Sequence, residues 1–310
     1  MTYAVVPPRS IPTLDSVVYN DSIFNRNSQE NYVFTRFLLF LTSRANQRKT
    51  TSSIAHIVLL QYNGHIDTSI LQNIYRPSGK WVTPDMCTFT IGDKTISVFS
   101  TVPNAATPVI YLNTFSGEGQ KVFEATQATG CPPFTLVSIS NLEWNHDMVP
   151  WNSPPIFKNA DACTGGADDY LRFLTEEIIP TAESELPAPP RWRGIAGYSL
   201  AGLFALYAIY QTALFSRVGS MSGSLWFPGM KEYIFSNEPK RCPECAYFSL
   251  GDKESKTRNP VLRTVQENTE AIQAYYQSKG VDTSYQLNRG NHFVQSVERT
   301  AAGIAWMVSR

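Results

Sequence analysis

Residues 200–210 have no polar face. The run Leu200-Ala201-Gly202-Leu203-Phe204-Ala205-Leu206-Tyr207-Ala208-Ile209-Tyr210 reads as a helix apolar on nearly every side, and such a helix has to be buried. It follows Gly194-Ile195-Ala196, a short strand entering Gly197. From about Met86 onward, short apolar runs alternate with longer helical patterns, the mark of a mostly parallel sheet with helices on both faces. Residues 88–91 and 95–99 read as a hairpin across Gly92-Asp93. Residues 108–112, 134–139, 217–221, 246–250 and 284–287 read as further strands. Helices are expected over 168–179, stopping at Pro180, and over 260–277 and 297–308.

Composition narrows the function. Of 310 residues, 43% are hydrophobic and 17% charged, enough apolar mass for a large core. Lys+Arg and Asp+Glu are 26 each, which argues against a nucleic-acid partner, since that needs a basic surface. No apolar run approaches a membrane span, and five cysteines do not make a disulfide scaffold. A soluble protein of a reducing compartment, the cytoplasm, is the expectation. Oligomeric state is not legible.

The strongest chemical signal is Gly197-Tyr198-Ser199-Leu200-Ala201-Gly202. A serine flanked by small residues between a strand and a helix is the nucleophile-elbow arrangement. The sharp turn lifts the hydroxyl above the sheet, and bulky neighbours would clash with the crossing strand and helix. Ala201 stands where glycine is commoner. The turn also aims the Leu200 N–H at the reacting centre, beside the positive end of the next helix. The bland alternative is an ordinary strand-to-helix connection. Downstream, the partners come in the order such folds use: serine, acid, histidine. A carboxylate just past the 246–250 strand, Glu254 or alternatively Asp252, would orient the base. His292, in the loop Arg289-Gly290-Asn291-His292-Phe293, would be that base. His56 and His65 lie in the unparsed first part, and His146 lies in a loop after the 134–139 strand. A second oxyanion donor is expected after the 108–112 strand, from the backbone of Thr114 or Phe115.

Residues from about 88 to 310 resemble the putative esterase family of α/β-hydrolases, the group with esterase D and enterochelin-type siderophore esterases. The resemblance is carried by Pro108 to Leu112, Gly165-Gly166-Ala167-Asp168 with Tyr170-Leu171 and Phe173-Leu174, and Ile179-Pro180. It continues through Gly197 to Phe204, Ser222-Gly223-Ser224-Leu225-Trp226, Gly251-Asp252-Lys253-Glu254 and Gly290-Asn291-His292-Phe293. It implies the α/β-hydrolase fold and a Ser/acid/His triad acting on carboxylic esters, with no cofactor and a small-molecule ester as substrate. The short form is most similar to the siderophore-esterase branch. Acyl transfer or thioester hydrolysis on the same triad is the alternative within enzymes. A non-catalytic binding protein with a relict fold is the alternative outside them.

Weaker features remain. Trp144 and Trp151, after the 134–139 strand, and Trp226, after another strand end, are candidates to hold an aromatic or acyl group. Cys242-Pro243-Glu244-Cys245 is a lone CxxC, too few ligands for zinc and ahead of a strand rather than a helix, so no metal is expected. Residues 1–80 carry eight Lys/Arg against four Asp/Glu and differ in texture from the rest. They are expected to form an N-terminal extension, with the esterase domain over 86–310.

Overall fold

A computed structural model describes residues 85–310, apart from residues 103, 104, 157 and 159. The expectations for residues 1–80, His56 and His65 lie outside the described residues. An antiparallel hairpin comes first, β1 (Asp85–Ile91) and β2 (Lys94–Ser100). Then follow β3 (Val109–Asn113), helix α1 (Gly119–Ala128), β4 (Thr135–Ser140) and the short helix α2 (Trp144–Asp147). A small ribbon, β5 (Asn152–Ser153) and β6 (Cys163–Thr164), leads into α3 (Ala167–Phe173). After α4 (Ile179–Ser184) strands and helices alternate: β7 (Arg193–Tyr198), α5 (Leu200–Gln211), β8 (Arg217–Met221), α6 (Met230–Ser236) and β9 (Cys245–Gly251). The chain ends with α7 (Val265–Ser278), β10 (Asp282–Asn288) and α8 (Ser296–Val308).

The eight long strands form one sheet in the order β1-β2-β4-β3-β7-β8-β9-β10. Every pairing from β4 to β10 is parallel, while β2 runs antiparallel to both β1 and β4. This is the α/β-hydrolase fold expected from the alternating texture. Central strands are buried on both faces, as parallel sheets under helices must be. In β3, Val109 and Tyr111 join one apolar cluster, while Ile110 and Leu112 join the other. The helix without a polar face, α5, is buried from Leu200 to Tyr210. Each fully enclosed side chain such as Leu206 or Ile209 contributes about 1.5–3 kcal/mol relative to exposure.

The expected stop at Pro180 is corrected. The chain runs through a π-helical turn, Leu174–Ile178, and continues as α4 with Pro180 in its first turn. Proline has no N–H to continue the ladder. Ile179, just before it, donates to the Leu174 carbonyl five residues back. The widened turn absorbs the break, and proline is well accommodated at a helical start.

Candidate active site

The tight turn between β7 and α5 carries Ser199. Its φ of 61° is left-handed, unusual for a residue with a side chain, and such strain persists only where packing enforces it. A methyl group on Gly197 would run into the main chain of Ala201, and one on Gly202 would meet the Gly197 carbonyl at 2.9 Å. Small residues at 197, 201 and 202 are therefore what lets the strand and helix close so sharply. Leu200, at the first position of α5, has no acceptor for its N–H within the helix.

The histidine comes from the loop after β10, at the edge of the same sheet. His292 Nε2 lies 3.0 Å from Ser199 Oγ, and its Nδ1 lies 2.7 Å from Glu254 Oε2. The other carboxylate oxygen, Oε1, accepts from the Gly251 N–H at 2.7 Å, the Ser222 hydroxyl at 2.8 Å and Arg299 Nη1 at 3.2 Å. Burial works to raise the carboxyl of Glu254. The hydrogen bond and charge of His292, with the Gly251 and Ser222 donors, outweigh it and hold the group below the ordinary carboxylate value. An ionised Glu254 fixes the proton on His292 Nδ1 and leaves Nε2 free to accept from the serine hydroxyl.

Asp252, the alternative acid, faces elsewhere. Its Oδ1 accepts from the Gly290 N–H at 2.8 Å, and that bond, first among its causes, lowers its carboxyl. Asp252 thus ties the turn after β9 to the loop holding His292, while Glu254 meets the imidazole. Ser222, Tyr198 and Arg299 complete the surroundings, and sequence reasoning gave none of them a role. Ser222 belongs to the Ser222-Gly223-Ser224 motif and is buried at φ 44°. Arg299 shares the buried side of α8 with Gly303 and Met307 at four-residue spacing. A charge in phase with a core stripe was the available signal.

Thr114 is corrected as an oxyanion donor. Its N–H continues the sheet ladder to the Ile139 carbonyl at 2.8 Å, and its hydroxyl binds the same oxygen. Phe115 lies one residue beyond the end of that ladder, and its ring is 68% exposed. That ring meets Trp144 edge-on at 5.1 Å. Trp151 donates its indole N–H to the Pro228 carbonyl and packs among Tyr207, Phe227 and Tyr233, anchoring its loop. Trp226 lies half-buried against Phe227. His146 binds Thr164 at 2.8 Å. Cys242 and Cys245 are free thiols, and burial pushes the Cys245 thiol up to about 11. Among the described residues no cluster of ligating side chains could hold a metal, and no helix is long and apolar enough to cross a membrane.

Fold and site geometry together define an α/β-hydrolase. Residues 102–296 match the family described as "Putative esterase". The chain belongs to that family, whose class of activity is carboxylic ester hydrolysis. "Uncharacterized protein YbbA" of Bacillus subtilis (strain 168) is 26% identical over 180 residues, 56% of this chain and 72% of that one. The solved structure of the siderophore hydrolase EstA from Aspergillus nidulans superposes with a TM-score of 0.57 at 17% identity, over 72% of this chain and 94% of that one. An IroE-like serine hydrolase from Shewanella oneidensis gives 0.57 at 20% identity, over 72% and 79%. At such identities these structures share the fold.

Proposed function

We propose that the chain hydrolyses carboxylic esters through an acyl-enzyme, with Ser199 as nucleophile, His292 as base and Glu254 as its orienting acid. One observation carries this: the unbroken line of hydrogen bonds from Ser199 Oγ through the His292 ring to Glu254. As Ser199 attacks the ester carbonyl, Nε2 of His292 takes the hydroxyl proton. Glu254 stabilises the imidazolium that results. The N–H groups of Leu200 and Phe115 hold the oxyanion. Collapse expels the alcohol, which receives the proton from Nε2. Water, deprotonated by the same nitrogen, then releases the acid. A fluorophosphonate probe tests the reading. Labelling at Ser199 that is lost in Ser199→Ala is the expected result, and an unlabelled folded protein would overturn it.

For the substrate we propose a siderophore-type ester with aromatic acyl groups. Two features support this choice. Phe293 is 87% exposed beside the His292 ring, and Phe115, exposed beside Trp144, follows β3, the strand paired with β7, so exposed aromatic rings are available on the elements next to the serine turn. The similar solved structures include a siderophore hydrolase. Turnover of a ferric catecholate trilactone against a generic aryl ester decides it: no preference for the trilactone would count against this choice and leave the esterase reading standing.

A further inference from the structure

Arg299 carries a full charge on a side chain only 2% exposed. A buried guanidinium is unfavourable unless its donors are matched, and a well-packed apolar residue in its place often stabilises a fold as well or better. Its Nη1 reaches Glu254 Oε1 and Ser222 Oγ at 3.2 Å each and the Tyr198 hydroxyl at 3.3 Å. Nη2 reaches the Arg289 carbonyl at 3.3 Å, while Nε has no acceptor among the described residues. The partners are not a random set. Tyr198 immediately precedes Ser199 and donates its own proton to the His292 carbonyl at 2.7 Å. Glu254 holds the imidazole. Arg289 opens the loop on which His292 stands. One guanidinium therefore touches the segments that carry all three members of the triad.

We propose that Arg299 is a positioning residue for the triad: it occupies one oxygen of the Glu254 carboxylate, leaves the other to His292, and holds the histidine loop in register with the nucleophile turn. The proposal rests on the triad reading above. It has a geometric consequence and an electrostatic one. Geometrically, the planar fork fixes Glu254, Ser222, Tyr198 and the Arg289 carbonyl together, which the point charge of a lysine cannot do. Electrostatically, its charge offsets that of Glu254. The titratable groups facing Glu254 are His292 from its loop, Arg299 from α8, Tyr198 from β7 and Tyr285 from β10. Lys253, Lys256 and Arg289 act on Asp252, on the adjoining exposed turn. Burial raises both tyrosines, Tyr285 to about 12, so neither ionises between about pH 5 and 9. Without the guanidinium the carboxylate would face the imidazole uncompensated. Removing a positive charge 3.2 Å from its Oε1 would favour protonation of the Glu254 carboxylate.

The test measures kcat/KM for an aryl ester and the rate of fluorophosphonate labelling against pH, using the full chain. Arg299→Met should slow labelling by about tenfold or more and move the acid limb of kcat/KM upward by about one pH unit. Arg299→Lys keeps the charge, so its limb should stay near the wild-type position while kcat falls severalfold. Tyr198→Phe cuts the tie to the His292 carbonyl but keeps the Arg299–Glu254 pair, so kcat should fall with the limb unmoved. Arg299→Met with wild-type rates overturns the proposal. So does a loss of activity that only tracks the loss of folded protein, with the limb in place. If Arg299→Met does not fold, wild-type kcat in both Arg299→Lys and Tyr198→Phe overturns it instead. A wild-type protein whose Ser199 does not label would overturn the triad reading itself, so the two failures are distinguishable.

Discussion

Ser199 stands at the end of β7, in the middle of the sheet, whereas His292 stands beyond β10, at its edge. The two surroundings differ throughout. β7 has β3 and β8 on either side, and the helix after Ser199 is buried along its length. β10 has only β9 beside it, exposes Leu287 by 48%, and leads to a loop whose Phe293 is 87% exposed. The serine is aimed by local sterics, through small residues at 197, 201 and 202 and a left-handed φ. The histidine has no such cage. It is aimed by hydrogen bonds from distant segments: Glu254 to its ring, Tyr198 to its carbonyl, and Asp252 and Lys253 to Gly290. A rigid centre can therefore be specified by a few adjacent residues, while an edge loop needs long-range ties to be equally well placed.

The sharpest way to break this comparison is to remove either end of the hydrogen-bonded line. Ser199→Ala and His292→Ala should each lower kcat for an aryl ester by about 10³-fold or more, because triad members act as a unit. Circular dichroism should show the fold intact, and retention of most activity by either variant would sink the assignment. The next effect separates the two carboxylates on the histidine side. Glu254→Gln should lower kcat by about 10²-fold or more, since the amide cannot stabilise the imidazolium. Asp252→Asn should stay within about threefold, because it loses only part of a turn contact. The reverse order would reassign the acid.

Smaller effects probe the exposed side. Phe293→Ala and Phe115→Ala should each raise KM for aromatic esters by about three- to tenfold, with kcat little changed, as expected for lost binding surface rather than lost chemistry. Equal changes for acetate esters of small alcohols would show that the rings do not contact the substrate. The smallest expected effect concerns the first part of the chain. We propose that residues 86–310 form an esterase domain that keeps kcat/KM within about threefold of the full chain. An aggregated or inactive fragment would mean that the earlier residues belong to the fold.

Much of the candidate site's arrangement was legible because it is written locally. The glycine-serine turn, the wholly apolar helix after it, and the order of serine, carboxylate and histidine are each written in short stretches of chain. Thr114 shows where such reading stops. One extra rung of the β3–β4 ladder engages its N–H, and the length of a ladder depends on the partner strand. Pro180 shows the same limit in a helix, where a π-turn carried the chain across a residue that ordinarily ends one. Arg299 is the deepest case: as a residue type it reads as solvated surface, and only the phase of α8 hints otherwise.

By itself, then, the amino-acid sequence determined the layered α/β architecture, the sharp Gly197–Gly202 turn that carries Ser199 and the candidate histidine. These follow from apolar periodicity and from steric limits between neighbouring residues. The tertiary structure alone decided that Glu254 rather than Asp252 meets the imidazole and that the Thr114 N–H is engaged in the sheet. It also decided that a buried guanidinium joins the segments that carry Ser199, Glu254 and His292. Those outcomes depend on which groups from β7, β8, β9 and α8 arrive within hydrogen-bonding distance. Hydrogen bonds are short and directional, and no spacing along the chain encodes a distance set by packing between elements up to a hundred residues apart.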